Sequence, residues 1–356
     1  MSSDPNAQRL QLAQQRRKVD FDSYDITVDE LVRRVSRGRI EIAPAYQRQF
    51  RWDETRQSRL VESLLLGIPV PPLFMATNVD ASQGTRWEVV DGLQRLLTLV
   101  NFIGDSEVRG VVRFDKDKKP LELVGLEKLT RLHGQAFNTL PPDLRTGLED
   151  RPLRVTVLND KSDLQVRFDL FERLNTGGIR LTDQEVRECV FMGEFVNLLS
   201  HLAKDANFRT VVRLPKTNMQ DGTAEEYVLR FFAFHDRYKQ FDHSVKDFLN
   251  DYCEANSRTA KAETRVALFS QTFRYLAAAF PEGLKSRKGT TAVNLYEGIS
   301  VGAALALKQN PQLDVPNSLD WVRSDAMRAV TTGATNNRSR VTGRIELCRD
   351  HFLSGS

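Results

Sequence analysis

Residues 87–99 have the sequence Trp-Glu-Val-Val-Asp-Gly-Leu-Gln-Arg-Leu-Leu-Thr-Leu. An apolar run typical of a β-strand ends at Asp91, and a segment with helical spacing follows Gly92 at once. The first N–H groups of a helix have no acceptor within the helix, and the helix dipole favours negative charge at that end. Gly92 allows a sharp turn, and Arg95 in the first helical turn supplies donors suited to phosphate. The stretch therefore predicts a strand, a tight turn and a helix start that can bind an anion.

The turn alone has a second interpretation, because Asp-Gly pairs are common in turns that bind nothing and such an arginine is commonly solvated. A stretch upstream favours a site. Residues 46–52, Tyr-Gln-Arg-Gln-Phe-Arg-Trp, combine aromatic and cationic side chains directly before a predicted helix over residues 54–66. Gly67 is typical of the position after a helix end, and the prolines that follow favour extended chain before a strand at residues 73–77.

A third block, Phe-Glu-Arg-Leu-Asn-Thr-Gly-Gly at residues 171–178, is followed by Leu181, Glu185 and Arg187. With the two upstream blocks, in this order, it resembles the DUF262 family, the N-terminal domain type of the GmrSD restriction enzymes. The resemblance covers about residues 20–255 and implies a ParB/sulfiredoxin-like fold. It also implies an NTP-binding and NTP-hydrolysing, DNA-sensing component of a bacterial anti-phage restriction system.

One position departs from the family pattern Asp-Gly-Gln-Gln-Arg. Leu93 stands where the first Gln is expected, whereas Asp91, Gly92, Gln94 and Arg95 match. A contact that this first Gln makes in relatives would be missing here. The sequence therefore also allows a chain that binds a nucleotide without hydrolysing it.

The resemblance, together with phosphate chemistry, gives the candidate catalytic residues their roles. Asp91 is expected to ligate Mg²⁺ or orient water, since one carboxylate plus phosphate oxygens suffices for Mg²⁺. Gln94 is expected to orient the attacking water, and Arg95 to hold phosphate. The nucleotide-binding set implied by the resemblance is Tyr46, Gln47, Arg48, Gly92, Arg95, Arg173 and Asn175.

Several of these residues have a plain structural alternative. Residues 174–178 are equally typical of a helix end with glycine in the left-handed conformation. Arg48 suits phosphate or DNA, and Tyr46 suits stacking on a base. Trp52 is expected to be a core anchor rather than a platform for a ligand.

The composition is that of an ordinary globular protein: 356 residues, 40% hydrophobic and 28% charged, with a net charge of +4. No apolar run reaches the roughly 18 to 20 residues of a membrane span, and the first residues lack an apolar segment, so no membrane partner or secretory signal is expected. Cys189, Cys253 and Cys348 are too dispersed for a metal pattern or a disulfide framework. These features predict a cytoplasmic protein.

Residues 331–344 contain three arginines and no acid, with glycine, asparagine and serine between them. The pattern predicts a flexible loop that enters a final helix. Contact with DNA phosphates and simple solvation are equally open interpretations. The candidate DNA-binding residues are Arg338, Arg340 and Arg344.

The chain is predicted to be α+β, with three parts: a helical arm at residues 1–19, a ParB/sulfiredoxin-like nucleotide-binding domain at residues 20–160, and an all-helical domain at residues 161–356. Residues 105–149 are charged and punctuated by Gly and Pro, which predicts an irregular insertion. An aromatic series with helical spacing in the last part is expected to pack in its core: Tyr227, Phe231, Phe232 and Phe234.

Neither a Gly-x-x-x-x-Gly-Lys-Ser/Thr loop nor a Gly-x-Gly-x-x-Gly sequence occurs, and no histidine shows zinc-ligand spacing. The pairs His235–Asp236 and Asp242–His243 are expected to be helix-end residues. No His-Asn-His nuclease signature is recognised, which disfavours DNA cleavage by this chain.

Three hypotheses remain. The first is NTP hydrolysis coupled to sensing of DNA, either plain or modified. The alternative is a non-hydrolysing nucleotide- or DNA-binding module that recruits a separate nuclease subunit. The third is a helical scaffold with a vestigial pocket. A homo-oligomer is compatible with each, because helical C-terminal domains often dimerise.

Overall fold

The computed structural model describes residues 6, 8–10, 20–42, 52–80, 84–112, 119–159, 168, 170, 173, 182–191, 193–215, 218, 221–257, 262–285, 289–316, 318–333 and 335–355. The chain divides into two compact units, residues 1–181 and 182–356. Most of the predicted helical arm lies outside the described residues, as do most of residues 160–181. The predicted domain boundary at residue 160 therefore stays a prediction.

The first unit combines a mixed β-sheet with helices, which confirms the predicted α+β class. Its elements in chain order are β1 Phe21–Thr27, α1 Val28–Ser36, β2 Ile40–Glu41, α2 Glu54–Leu65, β3 Leu73–Asp80, β4 Gly84–Asp91, α3 Leu93–Ile103, α4 Ser106–Val111, α5 Pro142–Glu149 and β5 Pro152–Leu158.

The described strands of this unit form one sheet in the order β1-β5-β3-β4-β2. β3 and β4 form an antiparallel hairpin, β5 runs parallel to β3 and antiparallel to β1, and β2 runs parallel to β4. The register shifts between Phe74 and Met75, and Phe74 pairs with Asp91. The end of β4 therefore lies beside the start of β3, which brings the Asp91–Gly92 turn next to Leu73.

Side-chain caps fix where several of these helices begin. The Thr27 hydroxyl accepts the N–H of Glu30 at the start of α1, and Asp53 accepts the N–H of Arg56 at the start of α2. The spacing of Thr27 and Glu30 predicts a reciprocal capping box. The structure shows the Thr27 half of it, while the Glu30 carboxylate accepts from Arg34 at 2.8 Å.

The prediction that residues 105–149 form an irregular insertion is wrong at both ends of the stretch. Asp105 caps α4 by accepting the N–H groups of Glu107 and Val108, both at 2.9 Å. Pro142 occupies the first position of α5, where its fixed φ and missing N–H suit a helix start. Several of the Gly and Pro residues that suggested irregular chain thus lie within short helices.

The connection between these two helices is held by the carboxylate of Glu62, which lies on α2 and is only 6% exposed. It accepts three backbone N–H groups, from Glu127 at 3.2 Å and from Lys128 and Leu129 at 2.7 Å each. Burial acts to raise the pKa of Glu62, but these three donors outweigh it, so the pKa lies below its ordinary value of 4.5.

The second unit is helical in its described part, as the sequence predicts. Its helices are α6 Asp183–Val190, α7 Glu194–Leu202, α8 Ala206–Val211, α9 Thr223–Arg237, α10 Val245–Asn256, α11 Ala262–Ala279, α12 Val293–Gln309, α13 Asp325–Thr331 and α14 Arg338–Ser354. The predicted aromatic core is confirmed, because all four side chains of the series on α9 are at most 4% exposed. No helix in the described ranges is long and apolar enough to cross a membrane.

Helix α12 lies in close contact with α14, and two glycines make the contact possible. A Cβ at Gly302 would lie 2.6 Å from the Cβ of Cys348, and one at Gly298 would lie 3.1 Å from the carbonyl oxygen of Arg344. Real Cβ atoms do not approach other atoms as closely as the first of these distances. The two helices can therefore pack only with glycine at position 302.

A chain of alternating charges connects α6, α9, α12 and α14. Arg187 donates to Glu226 at 3.0 Å, and Arg230 donates to the same carboxylate at 2.7 Å. Arg230 also donates to Glu297 at 2.7 Å, and Arg344 pairs with the other oxygen of Glu297. Burial acts to raise the pKa of Glu226, but Arg230 and Arg187 outweigh it and the pKa is lowered. Each of the two carboxylates is thus shared by two arginines, and the five groups together carry one excess positive charge.

We expect Glu62→Gln to lower the free energy of unfolding at pH 7 by about 1–3 kcal/mol, because hydrogen bonds to a charged acceptor are lost. The folded-state pKa of Glu62 is below 4.5, so its stabilising contribution is present above that value and is lost as the pH falls through the folded-state pKa. Urea unfolding at pH 7 and pH 4 measures this. Glu122→Gln, an exposed acid in the same segment, is the control. If Glu62→Gln lowered the free energy of unfolding by the same amount at both pH values, the charged carboxylate of Glu62 would not be the stabilising group.

We expect Glu297→Gln to lower the free energy of unfolding by about 3–5 kcal/mol, because the buried guanidinium of Arg344 and the half-buried one of Arg230 lose their shared carboxylate. Thermal or urea unfolding of the full chain measures the loss. The matched control is Glu282→Gln, which breaks an exposed ion pair with Lys285 and is expected to cost about 1 kcal/mol or less. Equal losses in the two variants would show that the charge chain contributes no more than a surface pair.

Candidate functional site

The turn between β4 and α3 requires glycine for two separate reasons. Gly92 has φ +93° and ψ +12°, a left-handed conformation that side chains rarely adopt. A Cβ at this position would lie 2.3 Å from Cδ2 of Leu73. The backbone of the turn therefore lies directly against β3, as close as a backbone without a side chain allows.

The guanidinium of Arg95 lies over this turn. Its Nη2 donates to Oδ2 of Asp91 at 2.7 Å, and its Nη1 donates to the carbonyl oxygen of Pro71 at 3.0 Å. A Cβ at Gly92 would be 3.0 Å from the same Nη2. The Arg95 side chain is 12% exposed. This arginine is therefore held at the turn rather than solvated, which removes the plain alternative weighed for it from the sequence.

Glycine leaves the start of α3 without a side-chain cap, in contrast to α1, α2 and α4 of the same unit. The first hydrogen bond within the helix runs from the N–H of Leu96 to the carbonyl of Gly92 at 2.9 Å. Helix geometry leaves the N–H groups before Leu96 without an acceptor inside the helix. Together with the adjacent guanidinium, this end of α3 has the donor set of an anion site.

Gln94 has a partner that sequence reasoning did not identify. Its Oε1 accepts the backbone N–H of Trp52 at 3.1 Å, and Gln57 donates to the carbonyl of Trp52 at 2.9 Å. Asn101 on α3 in turn donates to Gln57 at 2.9 Å. Gln94 therefore fixes the position of Trp52, the last residue of the aromatic and cationic block. Trp52 itself is half-buried, so its role as a core anchor stays a prediction.

Asp91 is the candidate metal ligand, and its surroundings limit what it can hold. One of its oxygens is paired with Arg95, and the carboxylate is 30% exposed. No group of three or more His, Cys, Asp or Glu side chains in the described ranges is arranged to hold a metal ion. These residues fit a Mg²⁺ ion that arrives with a nucleotide and takes one protein carboxylate, and they do not fit a cage built by the protein.

The other sides of the predicted pocket cannot be placed. Tyr46, Gln47, Arg48 and Asn175 lie outside the described residues, and the side chain of Arg173 is exposed. Their roles in nucleotide binding stay predictions. The described part of the site is thus the turn with Asp91, Gly92, Gln94 and Arg95.

The basic stretch at residues 331–344 is not one loop, because α14 begins at Arg338 with Asn337 as its cap. Arg344 is 0% exposed, pairs with Glu297 and donates to the carbonyl of Thr335 at 2.9 Å. The prediction that it lies on a flexible loop is wrong, and in this structure it is not accessible to DNA. Arg338 is exposed and Arg340 is half-buried, so their contact with DNA stays a prediction.

Residues 28–192 match the family model described as the GmrSD restriction endonuclease, N-terminal domain. This match supports the resemblance to the GmrSD N-terminal domain type that the sequence blocks indicate. The matched residues include the whole Asp91–Arg95 turn. A comparison with curated proteins and one with solved structures each gave no match, so the ParB/sulfiredoxin-like fold stays a prediction.

The last residues of the GmrSD N-terminal match serve the structure of α6. Thr182 and Glu185 form a full capping box, with the Glu185 carboxylate accepting the N–H of Thr182 at 2.7 Å and the Thr182 hydroxyl accepting the N–H of Glu185 at 3.2 Å. Arg187 is buried and donates to Asn250 at 2.8 Å besides Glu226. The third block of the sequence therefore ends in residues with structural partners in the second unit.

We expect Gly92→Ala to lower the free energy of unfolding by about 1–3 kcal/mol, since it combines left-handed strain with overlap of Leu73. It should also displace the Arg95 guanidinium. Gly38→Ala is the matched control, because Gly38 also has a positive φ, +62°, but a Cβ there meets nothing within 4 Å. Urea unfolding of both variants separates backbone strain from overlap. Equal losses would mean that the contact with Leu73 does not constrain the turn.

Proposed function

We propose that the chain is the nucleotide-binding, DNA-sensing component of a bacterial restriction system that acts against phage. The observation that supports this most directly is the uncapped start of α3 beneath the Arg95 guanidinium, within a match to the GmrSD restriction endonuclease N-terminal domain. Both features favour a polyphosphate as the ligand of the turn.

In this proposal the phosphate oxygens accept the first N–H groups of α3 and a donor of Arg95. The pairing of Arg95 with Asp91 holds the guanidinium over the turn before the nucleotide arrives, so less side-chain freedom is lost on binding. The other carboxylate oxygen of Asp91 would then bind the Mg²⁺ that accompanies the nucleotide. When bound, Mg²⁺ would neutralise phosphate charge.

Hydrolysis is the second part of the proposal, and it depends on Gln94. An amide can orient an attacking water, but Oε1 of Gln94 accepts the N–H of Trp52. Leu93 adds no polar group beside it. These two observations favour the alternative that the chain binds nucleotide as a switch and recruits a separate nuclease. In that case Gln94 couples the nucleotide site to the block that ends at Trp52.

The proposal assigns DNA, plain or modified, to the basic residues Arg338 and Arg340 of the second unit. Contacts of this type add affinity through phosphate charge and weaken as salt rises. Arg344 is excluded from the set because it lies in the core.

We expect Arg95→Ala to weaken binding of a nucleoside triphosphate with Mg²⁺ by about 10- to 100-fold, the usual effect of losing a charge-assisted hydrogen bond. Calorimetry with each of the four NTPs measures binding, and phosphate release with and without plain or modified DNA measures turnover. Arg33→Ala is the control, because Arg33 forms the same i,i+4 pair with Asp29 at an exposed position.

The outcomes separate the hypotheses. Binding with phosphate release that Arg95→Ala abolishes supports the hydrolase. Tight binding without release for any NTP selects the non-hydrolysing module. Absence of binding by the wild-type chain overturns the nucleotide proposal and favours the scaffold.

A further inference from the structure

The first unit contains an apolar groove of about 350 Å³ between the end of α2, the short 3₁₀ turn Thr130–Leu132 and α5. This volume is at the lower end of the range for binding sites, roughly 300–1,000 Å³. Leu66 is 41% exposed and the other leucines of the lining are half-buried, so a partner can reach them from solvent. The apolar lining that the structure describes consists of Leu65, Leu66, Leu129, Leu132 and Leu144.

The end of α2 fixes two apolar side chains beside this groove. Gly67, with φ +72°, donates to the carbonyl of Leu64 at 3.2 Å, and the N–H of Ile68 donates to the carbonyl of Ser63 at 2.8 Å. This is the Schellman pattern, in which the residue after the glycine commonly packs on an apolar side chain of the last turn. That position is Ser63 here, and Ile68 is 51% exposed. A fixed apolar patch beside a groove is typical of an interaction site.

The charges at the groove favour an acidic partner. Lys128 and Arg131 line it and are exposed, and none of the described lining residues is acidic. Neither cation has an ion pair within the part of the chain that the structure describes. The neighbouring Glu127 is already paired with Arg59 at 2.8 Å, and Asp143 on α5 does not line the groove. The two cations are therefore available to carboxylates from outside.

We propose that this groove binds an acidic amphipathic helix of a partner protein. Apolar side chains spaced three and four residues apart along one face of that helix fill the groove and cover Leu66 and Ile68. Acidic side chains beside this face pair with Lys128 and Arg131. A concave apolar groove suits an inserted helix better than a membrane, because membrane binding requires apolar side chains that project from the protein into the lipid.

Binding of this helix requires neither nucleotide nor DNA, so it goes beyond the function proposed above. The groove and the exposed cations are also distinct from the residues of the nucleotide turn. Arg95→Ala is accordingly expected to leave the affinity for the helix unchanged. Loss of nucleotide binding with retention of helix binding would reject the nucleotide proposal alone.

The probe is a display library of amphipathic helical peptides of about four turns, selected on the immobilised full chain. Every member keeps the apolar face, and the positions beside it are acidic, basic or neutral. We expect the acidic members to be enriched and to bind in the micromolar range by fluorescence anisotropy. Their affinity should fall as salt rises, because the pairs with the two cations are exposed to solvent.

We expect Leu66→Gln to weaken binding of the selected peptide by about 10-fold, because the apolar area that the peptide covers is reduced. Val111→Gln is the matched control, since Val111 is 44% exposed at the end of α4 in the same unit. Circular dichroism shows whether each variant folds. If Leu66→Gln does not fold, Ile68→Gln replaces it with the same expected direction of change.

Reversal of charge tests the second half of the proposal. The double variant Lys128→Glu with Arg131→Glu is expected to prefer the basic members of the library over the acidic ones. Arg37→Glu, which changes an exposed arginine elsewhere in the unit, is the control and should keep the acidic preference.

Hydrogen exchange locates the bound peptide on the chain. We expect the backbone N–H groups of residues 63–68 and 128–132 to exchange more slowly when the peptide is added. Those of residues 106–111 should be unaffected. Protection elsewhere without protection of these two segments would place the peptide at a different surface and overturn the proposal.

Three further results would overturn it. The first is a selection that enriches no amphipathic helix, or enriches basic or neutral members over acidic ones. The second is unchanged affinity in a folded Leu66→Gln variant. The third is binding to vesicles of anionic phospholipid that depends on Leu66 without any enrichment of peptides, which would assign this surface to a membrane.

Discussion

The second unit depends on one chain of alternating charges across four helices. Arg187, Glu297 and Arg344 are buried in it, and Glu226 and Arg230 are half-buried. Removing one partner of a buried ion pair leaves an uncompensated charge, and this lowers the free energy of unfolding far more than replacing the whole pair by apolar residues does. Each of these side chains therefore requires its neighbours. Few other arrangements of the four helices would leave each of these charges with its partner. The glycines of α12 let α14 approach closely enough for Arg344 to reach Glu297.

The first unit depends on a different constraint, which is steric. Gly92 can turn against Leu73 only because it lacks a side chain, and the same absence lets the Arg95 guanidinium fold back over the turn. The turn is thus rigid on one side and cationic on the other. Such an arrangement binds an anion with groups that are already in position, which reduces the entropy lost on binding.

Local patterns in the sequence predict those parts of the structure whose partners are near in the chain. The strand, turn and helix around Asp91, the Thr27 cap and the aromatic face of α9 all follow from spacing of a few residues. Contacts between distant residues have no such signal. Gln94 meets Trp52 from 42 positions away, and Arg344 meets Glu297 from 47 positions away, so the first was interpreted as catalytic and the second as a DNA contact. Helix α12 is buried along most of its length, and without a polar face it lacks the periodicity that reveals a surface helix.

The order of strands in the sheet has a consequence for synthesis of the protein. In the described sheet β1 is an edge strand that pairs with β5, and its Ser23 meets Thr156, 133 positions later. At elongation rates of roughly 5–20 residues per second, β1 emerges from the ribosome on the order of ten seconds before its partner. During that interval Phe21 and Tyr24, which stay exposed even after folding, are on an unpaired strand. The pairing of β1 with β5 can therefore form only after residue 158 has left the ribosome, and until then β1 has no partner strand.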